Sequence, residues 1–103
     1  MYEIVWEFQP APRRERDFES VYGPTGLWVE LFRREPGYLG TELIPPREPG
    51  GWYRTIDRWE SVAAYERFRK AWGTEYATLD QACAPLTVME RAINVDVAGS
   101  GET

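Results

Sequence analysis

Between Ile56 and Phe68 the chain reads I-D-R-W-E-S-V-A-A-Y-E-R-F, and within this stretch the period of its apolar residues changes from two to that of a helix. No other feature limits the possible folds so strongly, because a strand must hand over to a helix at a fixed corner. Ser61 marks the handover: its hydroxyl can accept a hydrogen bond from one of the unpaired N–H groups in the first turn of a helix starting at Val62. Trp59 ends the strand two residues earlier, where its ring is either part of a reaction site or the peg between strand and helix. The position before the cap favours the peg.

Period-two alternation also governs the amino-terminal segment. Tyr2, Ile4, Trp6 and Phe8 alternate with Glu3, Val5, Glu7 and Gln9, which predicts a first strand closed by Pro10 and Pro12. Arg13 to Tyr22 then places Phe18, Val21 and Tyr22 at helical spacing, and G-P-T-G breaks that helix at Gly23. A second helical piece runs from Leu27 to Arg34, with Leu27, Trp28, Leu31 and Phe32 on one stripe, before Pro36-Gly37 ends it. Tyr38 to Ile44 and Trp52 to Trp59 read as a hairpin across a loop rich in Pro and Gly. The helix after Ser61 carries Val62, Tyr65, Phe68 and Trp72 as its expected buried stripe, Gly73-Thr74 interrupts, and a short helix resumes from Glu75 to Ala84 with Tyr76, Leu79 and Cys83 together. A last strand extends from Leu86 to Val97, with Met89, Ile93, Val95 and Val97 opposite Glu90, Asn94 and Asp96, and Ala98 to Thr103 has the composition of a loose tail.

Strand, helices, strand, strand, helices, strand is the order of the split β-α-β, ferredoxin-like α+β domain, here filling residues 1–97 with a four-stranded antiparallel sheet covered by helices on one face. The other face mixes Glu3, Val5, Glu7, Glu42, Arg54 and Arg58. Water alone does not call for such a mixture. A second subunit packed against that face would bury the apolar groups while the charges pair, so the expected state is a homodimer.

Twelve Lys and Arg against seventeen Asp and Glu give a net charge of −5, which argues against nucleic acid and anionic lipid as partners. No apolar run approaches the roughly 20 residues that span a bilayer, and the amino terminus carries Glu where a signal peptide carries Lys or Arg, so the expected location is the cytoplasm. Histidine is absent, which removes the commonest metal and haem ligand, the usual near-neutral acid/base and every Ser-His or Cys-His nucleophile. The sequence predicts no metal and no cofactor. Cys83, the single cysteine, lies on an apolar stripe and reads as a buried, inert thiol.

The opening strand with P-A-P-R-R-E-R-D-F, the segment F-R-R-E-P-G-Y-L-G-T-E-L and above all Y-R-T-I-D-R-W-E-S-V-A-A-Y-E-R-F resemble the antibiotic biosynthesis monooxygenase family. The resemblance implies a dimeric α+β barrel with a pocket between sheet and helices in each subunit. It also implies a choice of chemistries, since the family includes oxygenases that act on anthrones, quinols and other electron-rich aromatics without metal or organic cofactor, and haem-degrading enzymes. The haem-degrading branch uses an Asn on the first strand and a Trp and a His on later helices. Here those positions fall on Trp6 or Glu7, on Phe68 and near Asp80, so the resemblance argues against that reaction.

Cofactor-free oxygenation asks little of a protein, because an ionised phenol or enol can itself give an electron to O₂. A base, a cation or donor for the developing oxyanion, and aromatic walls suffice. Asp80, one helical turn from Tyr76, is the leading base, and Glu7 is a second. Arg54, on one strand face with Arg58, is the expected oxyanion partner. The structural reading of each competes: Asp80 at an exposed rim, and Arg54, Arg58 and Glu7 in cross-strand ion pairs. Trp28, Tyr65, Phe68, Trp72 and Tyr76 are the expected pocket walls, or ordinary core. The leading function is a cofactor-independent monooxygenase for a small aromatic, anthrone or quinol-type substrate. The alternatives are a non-catalytic small-molecule-binding or regulatory barrel, and an isomerase or decarboxylase using the same pocket.

Overall fold

The first strand, β1, covers Tyr2–Pro10 and is followed by helices α1 (Glu15–Tyr22) and α2 (Leu27–Phe32). Strands β2 (Tyr38–Ile44) and β3 (Tyr53–Trp59) come next, then helices α3 (Val62–Ala71) and α4 (Gly73–Cys83), a 3₁₀ turn and strand β4 (Thr87–Asn94). The computed structural model describes residues 1–94, so the expected end of the last strand at Val97 and the tail from Ala98 lie outside the described residues. The four strands are antiparallel to their neighbours in the order β2-β3-β1-β4, the ferredoxin-like arrangement. Among the described residues no helix is long and apolar enough to cross a membrane.

The helix boundaries follow local chemistry. Arg13 adopts a positive φ of 68°, an uncommon backbone conformation for a residue other than glycine, and α1 starts only at Glu15. Gly73 does not interrupt a helix, as its lack of a side chain suggests, but opens α4; the residue out of helical geometry is Trp72, with φ −121° and ψ 24°. Ser61 caps α3 as expected, its hydroxyl accepting from the Ala64 N–H at 3.1 Å.

Val62 departs from the expected stripe. It is 43% exposed, and Ala64 takes its place on the buried face one turn from Phe68. A close approach of the chain explains the exchange: a Cβ built at Gly37 would stand 2.5 Å from the Ala64 Cβ, so neither position tolerates bulk. The Gly37 carbonyl accepts from the Glu60 N–H at 2.8 Å and closes the same corner.

Trp59, Phe18 and Phe68 are fully buried. The Trp59 ring lies 5.1 Å from Tyr38, 5.2 Å from Phe68, 5.3 Å from Tyr65 and 5.4 Å from Phe32, centroid to centroid. It joins β2, β3, α2 and α3, which is the role of a peg.

On the open face of the sheet, Glu7 accepts from Arg54 at 2.8 Å and from Arg91 at 2.7 Å, while Arg58 donates to Glu3 at 2.8 Å and to Glu42 at 3.1 Å. The Arg91 guanidinium also lies 4.0 Å from the Trp52 ring centroid. Met89 and Ile44 stay exposed among these pairs. The register of β4 inverts one expectation: Phe8 pairs with Glu90 and Gln9 with Met89, which puts Glu90 on the helix-covered side and Met89 on the open one.

Candidate active site

The inner face of the sheet and the helices above it enclose a pocket with an empty volume of about 640 Å³, part of it open to solvent. Alternation in β1 delivers Trp6 and Phe8 to it, and β3, paired Trp6 to Thr55 and Ile4 to Asp57, delivers Thr55 and Asp57 beside them. Thr41 enters from β2 and Glu90 from β4. Tyr22, Trp28 and Phe32 form the wall on the α1–α2 side, and Tyr76 and Asp80 the wall from α4. Tyr76 meets Trp28 edge-on at 5.1 Å, so the two helical walls support each other.

Asp57 is the chemically distinctive group. It is half-buried on the inner face of a central strand, and its Oδ1 accepts from the Thr41 hydroxyl at 2.8 Å. Because Thr41 donates there, the Tyr38 hydroxyl donates in turn to Thr41 Oγ1, at 2.5 Å. Burial pushes the Asp57 carboxyl up to about 6, against the opposing pull of the Thr41 hydrogen bond. A carboxylate in that range can accept a proton near neutrality and give it back.

The remaining polar groups have different surroundings. Thr55 is 4% exposed and lines the pocket, yet its hydroxyl makes no hydrogen bond among the described residues. Burial raises the Glu90 carboxyl above the usual range, and the nearby Asp80 charge adds to that rise. Burial likewise pushes the Tyr76 phenol up to about 12, so it stays protonated. The Cys83 thiol is buried and also raised by burial, consistent with an inert side chain. Among the described residues no group of three or more Cys, Asp or Glu is placed to hold a metal ion.

Three of the expected site residues, Trp28, Tyr76 and Asp80, do line the pocket. Phe68 is instead fully buried core, and Tyr65 packs on Tyr2, Trp59 and Phe68. Trp72 lies under the Arg34 guanidinium, 4.8 Å from its ring centroid, outside the pocket. Glu7 and Arg54 lie on the opposite face of the sheet and bind each other. Hydrogen bonds from Arg54 and then Arg91 hold the Glu7 carboxyl below the usual range, which makes it a poor proton acceptor. The sequence reading passed over the polar lining residues Asp57, Thr41, Thr55 and Glu90, and the walls Trp6, Phe8, Tyr22 and Phe32.

The model of the antibiotic biosynthesis monooxygenase family matches residues 1–73. A sequence search of curated proteins finds no match. Among solved structures, a single-residue mutant of SnoaB, a cofactor-independent oxygenase from Streptomyces nogalater, superposes with a TM-score of 0.70 at 23% identity, over 96% of this chain and 93% of that one. PA3566 from Pseudomonas aeruginosa gives a TM-score of 0.64 at 18% identity over 94% of both chains. A mutant of MhuD, with two manganese protoporphyrin IX molecules bound per active site, gives 0.58 at 20% identity over 96% of this chain and all of the other. These identities speak to the fold, and the family match adds membership: the chain belongs to the antibiotic biosynthesis monooxygenase family.

Proposed function

We propose that the pocket binds a small phenolic or enolisable aromatic and that the protein oxygenates it without a cofactor, with Asp57 as the base. The observation that carries this reading is a near-neutral carboxyl set into the sheet beneath aromatic walls. Asp57 takes a proton from the substrate, and the resulting anion gives one electron to O₂. Recombination forms a C–O bond, and cleavage of the O–O bond then releases water. For a ring CH₂ converted to C=O, one oxygen atom stays on carbon, the other leaves with both hydrogens, and the substrate supplies all the electrons. The Thr55 hydroxyl supplies the donor for the developing oxyanion that Arg54, on the other face, does not. Asp57 is assigned as the base in preference to Asp80 because it is held in the sheet by Thr41, whereas Asp80 is an exposed residue at the rim. The walls position the ring and keep water from the anion.

Oxygen uptake with a panel of anthrones and quinols, without added metal or flavin, tests the reading. Consumption of one O₂ per product is expected. Binding without uptake across the panel would replace the oxygenase by a non-catalytic binding barrel, and product formed under anaerobic conditions would replace it by an isomerase or decarboxylase.

The same reading includes a homodimer through the open face of the sheet. Support comes from the exposed Met89 and Ile44 and the half-buried Val5 and Ile56 among charges that already pair within the sheet. Sedimentation at micromolar concentration is expected to give twice the chain mass, with Met89→Lys shifting the equilibrium toward monomer by at least tenfold. A wild-type chain that sediments as a monomer and keeps full stability on dilution excludes this interface.

A further inference from the structure

The charges around the pocket constrain its ligand further. Among the described residues three acidic ones line it, Asp57 in the sheet and Asp80 and Glu90 toward its edges, while no Lys or Arg does. Arg69 comes near, with its guanidinium 3.9 Å from the Tyr76 ring centroid and Nη1 donating to the Tyr65 hydroxyl, but it is not part of the lining. An anionic ligand would therefore meet like charge with no counter-ion in the wall. A cation would meet carboxylates and the aromatic rings of Trp6 and Trp28 together. Thr55, only 4% exposed, lining the pocket and without a side-chain hydrogen-bond partner among the described residues, is an independent sign that a polar ligand group belongs at the sheet end, next to Asp57.

We infer that the substrate is an aromatic carrying both a ring hydroxyl or enol and a basic amine, its hydroxyl end on Thr55 and Asp57 and its ammonium held by Glu90 and Asp80. This rests on the reading of the pocket as a substrate site. It gives the two outer carboxylates a function that the oxygenation step does not need. It also leaves the ligand with no net negative charge when Asp57 removes the ring proton, because the ammonium remains.

Three matched ligands test the inference by calorimetry under anaerobic conditions: 6-(aminomethyl)-2-naphthol, 6-(hydroxymethyl)-2-naphthol and 6-hydroxy-2-naphthoate. They share one naphthalene ring system and one ring hydroxyl and differ in charge. The aminomethyl compound is expected to bind about tenfold or more tightly than the neutral one, a difference of roughly 1.4 kcal/mol, and the naphthoate more weakly than either. In the Asp80→Asn/Glu90→Gln variant the first two should bind within about threefold of each other, and Glu90→Gln alone should lose part of the preference. Equal binding of the three ligands, no binding of any, a preference for the naphthoate, or a preference that survives in the double variant overturns the inference. Because the measurement excludes O₂, it separates the two claims. Amine preference without oxygen uptake by any substrate leaves the ligand class standing and removes the oxygenase, whereas turnover with no amine preference does the reverse.

Discussion

Replacement of Asp57 by Asn is expected to abolish turnover of any accepted substrate and, at pH 8, to make the protein more stable than the wild type. Both effects have one cause. The carboxyl rises from its ordinary 3.8 to about 6 because the fold buries it, with Thr41 offsetting only part of the cost. Between those two values the folded chain keeps a proton that the unfolded chain has lost, so stability falls as pH rises through this window and stays at the lower level above it. At about 1.4 kcal/mol per pH unit the full penalty is near 3 kcal/mol, and solvent reaching the half-buried group leaves roughly 2. Asn has the same shape, can still accept from Thr41 and carries no charge. Thermal unfolding should therefore put the variant above the wild type at pH 8, with the two curves converging near pH 4. Thr41→Val acts in the opposite sense: without its donor the Asp57 carboxylate is disfavoured further, and the rise of activity with pH shifts to higher pH. An Asp57→Asn protein with wild-type oxygen uptake would remove Asp57 from the mechanism, and one with unchanged stability at pH 8 would show that the carboxylate is not strained by burial.

That trade between stability and activity was hidden in the sequence for a definable reason. The order of elements was legible because periods and Pro/Gly breaks are local, and so was Trp59, whose place before a Ser cap left its ring little choice. Trp28, Tyr76 and Asp80 were legible as pocket residues for the same reason, each lying on or beside a helical stripe. Asp57 did leave a signal, since it is in phase with Tyr53, Thr55 and Trp59 on the inward side of β3. A carboxylate on that side of a strand has to be accounted for. Glu90 left a weaker one. The phase of β4 depends on pairing with β1, and the register shifts between Val5 and Trp6 and between Gln9 and Pro10 cannot be seen in alternation alone. Tyr65, Phe68 and Trp72 mark the limit of helical spacing, which shows that a face is covered but not whether a core or a cavity covers it.

Trp59→Ala should be the most damaging single change to the fold, at about 4 kcal/mol, because it empties a fully buried indole site enclosed by four other rings. For a domain whose total stability is of order 5–15 kcal/mol, that leaves a protein with little margin at 37 °C. Trp59→Phe separates the ring from its polar atom. The indole Nε1 is buried without a hydrogen-bond partner among the described residues, so Phe gives up part of the packing but also removes an unsatisfied donor. Its cost should be about half that of Ala or less, measured as a shift in the denaturant midpoint at constant slope. If Ala costs under 1 kcal/mol, or if Phe costs as much as Ala, Trp59 is not the peg. A functional consequence follows from β3 itself. Trp59 and Asp57 are two residues apart on the same side of the strand, and Trp59 does not line the pocket. A looser corner therefore reaches the chemistry by two routes, along the strand to the base and through Phe32, which touches Trp59 and forms part of the pocket wall. Trp59→Phe should lower the turnover rate by several-fold and ligand affinity by less, because Phe32 is one wall among several and the outer carboxylates do not touch Trp59.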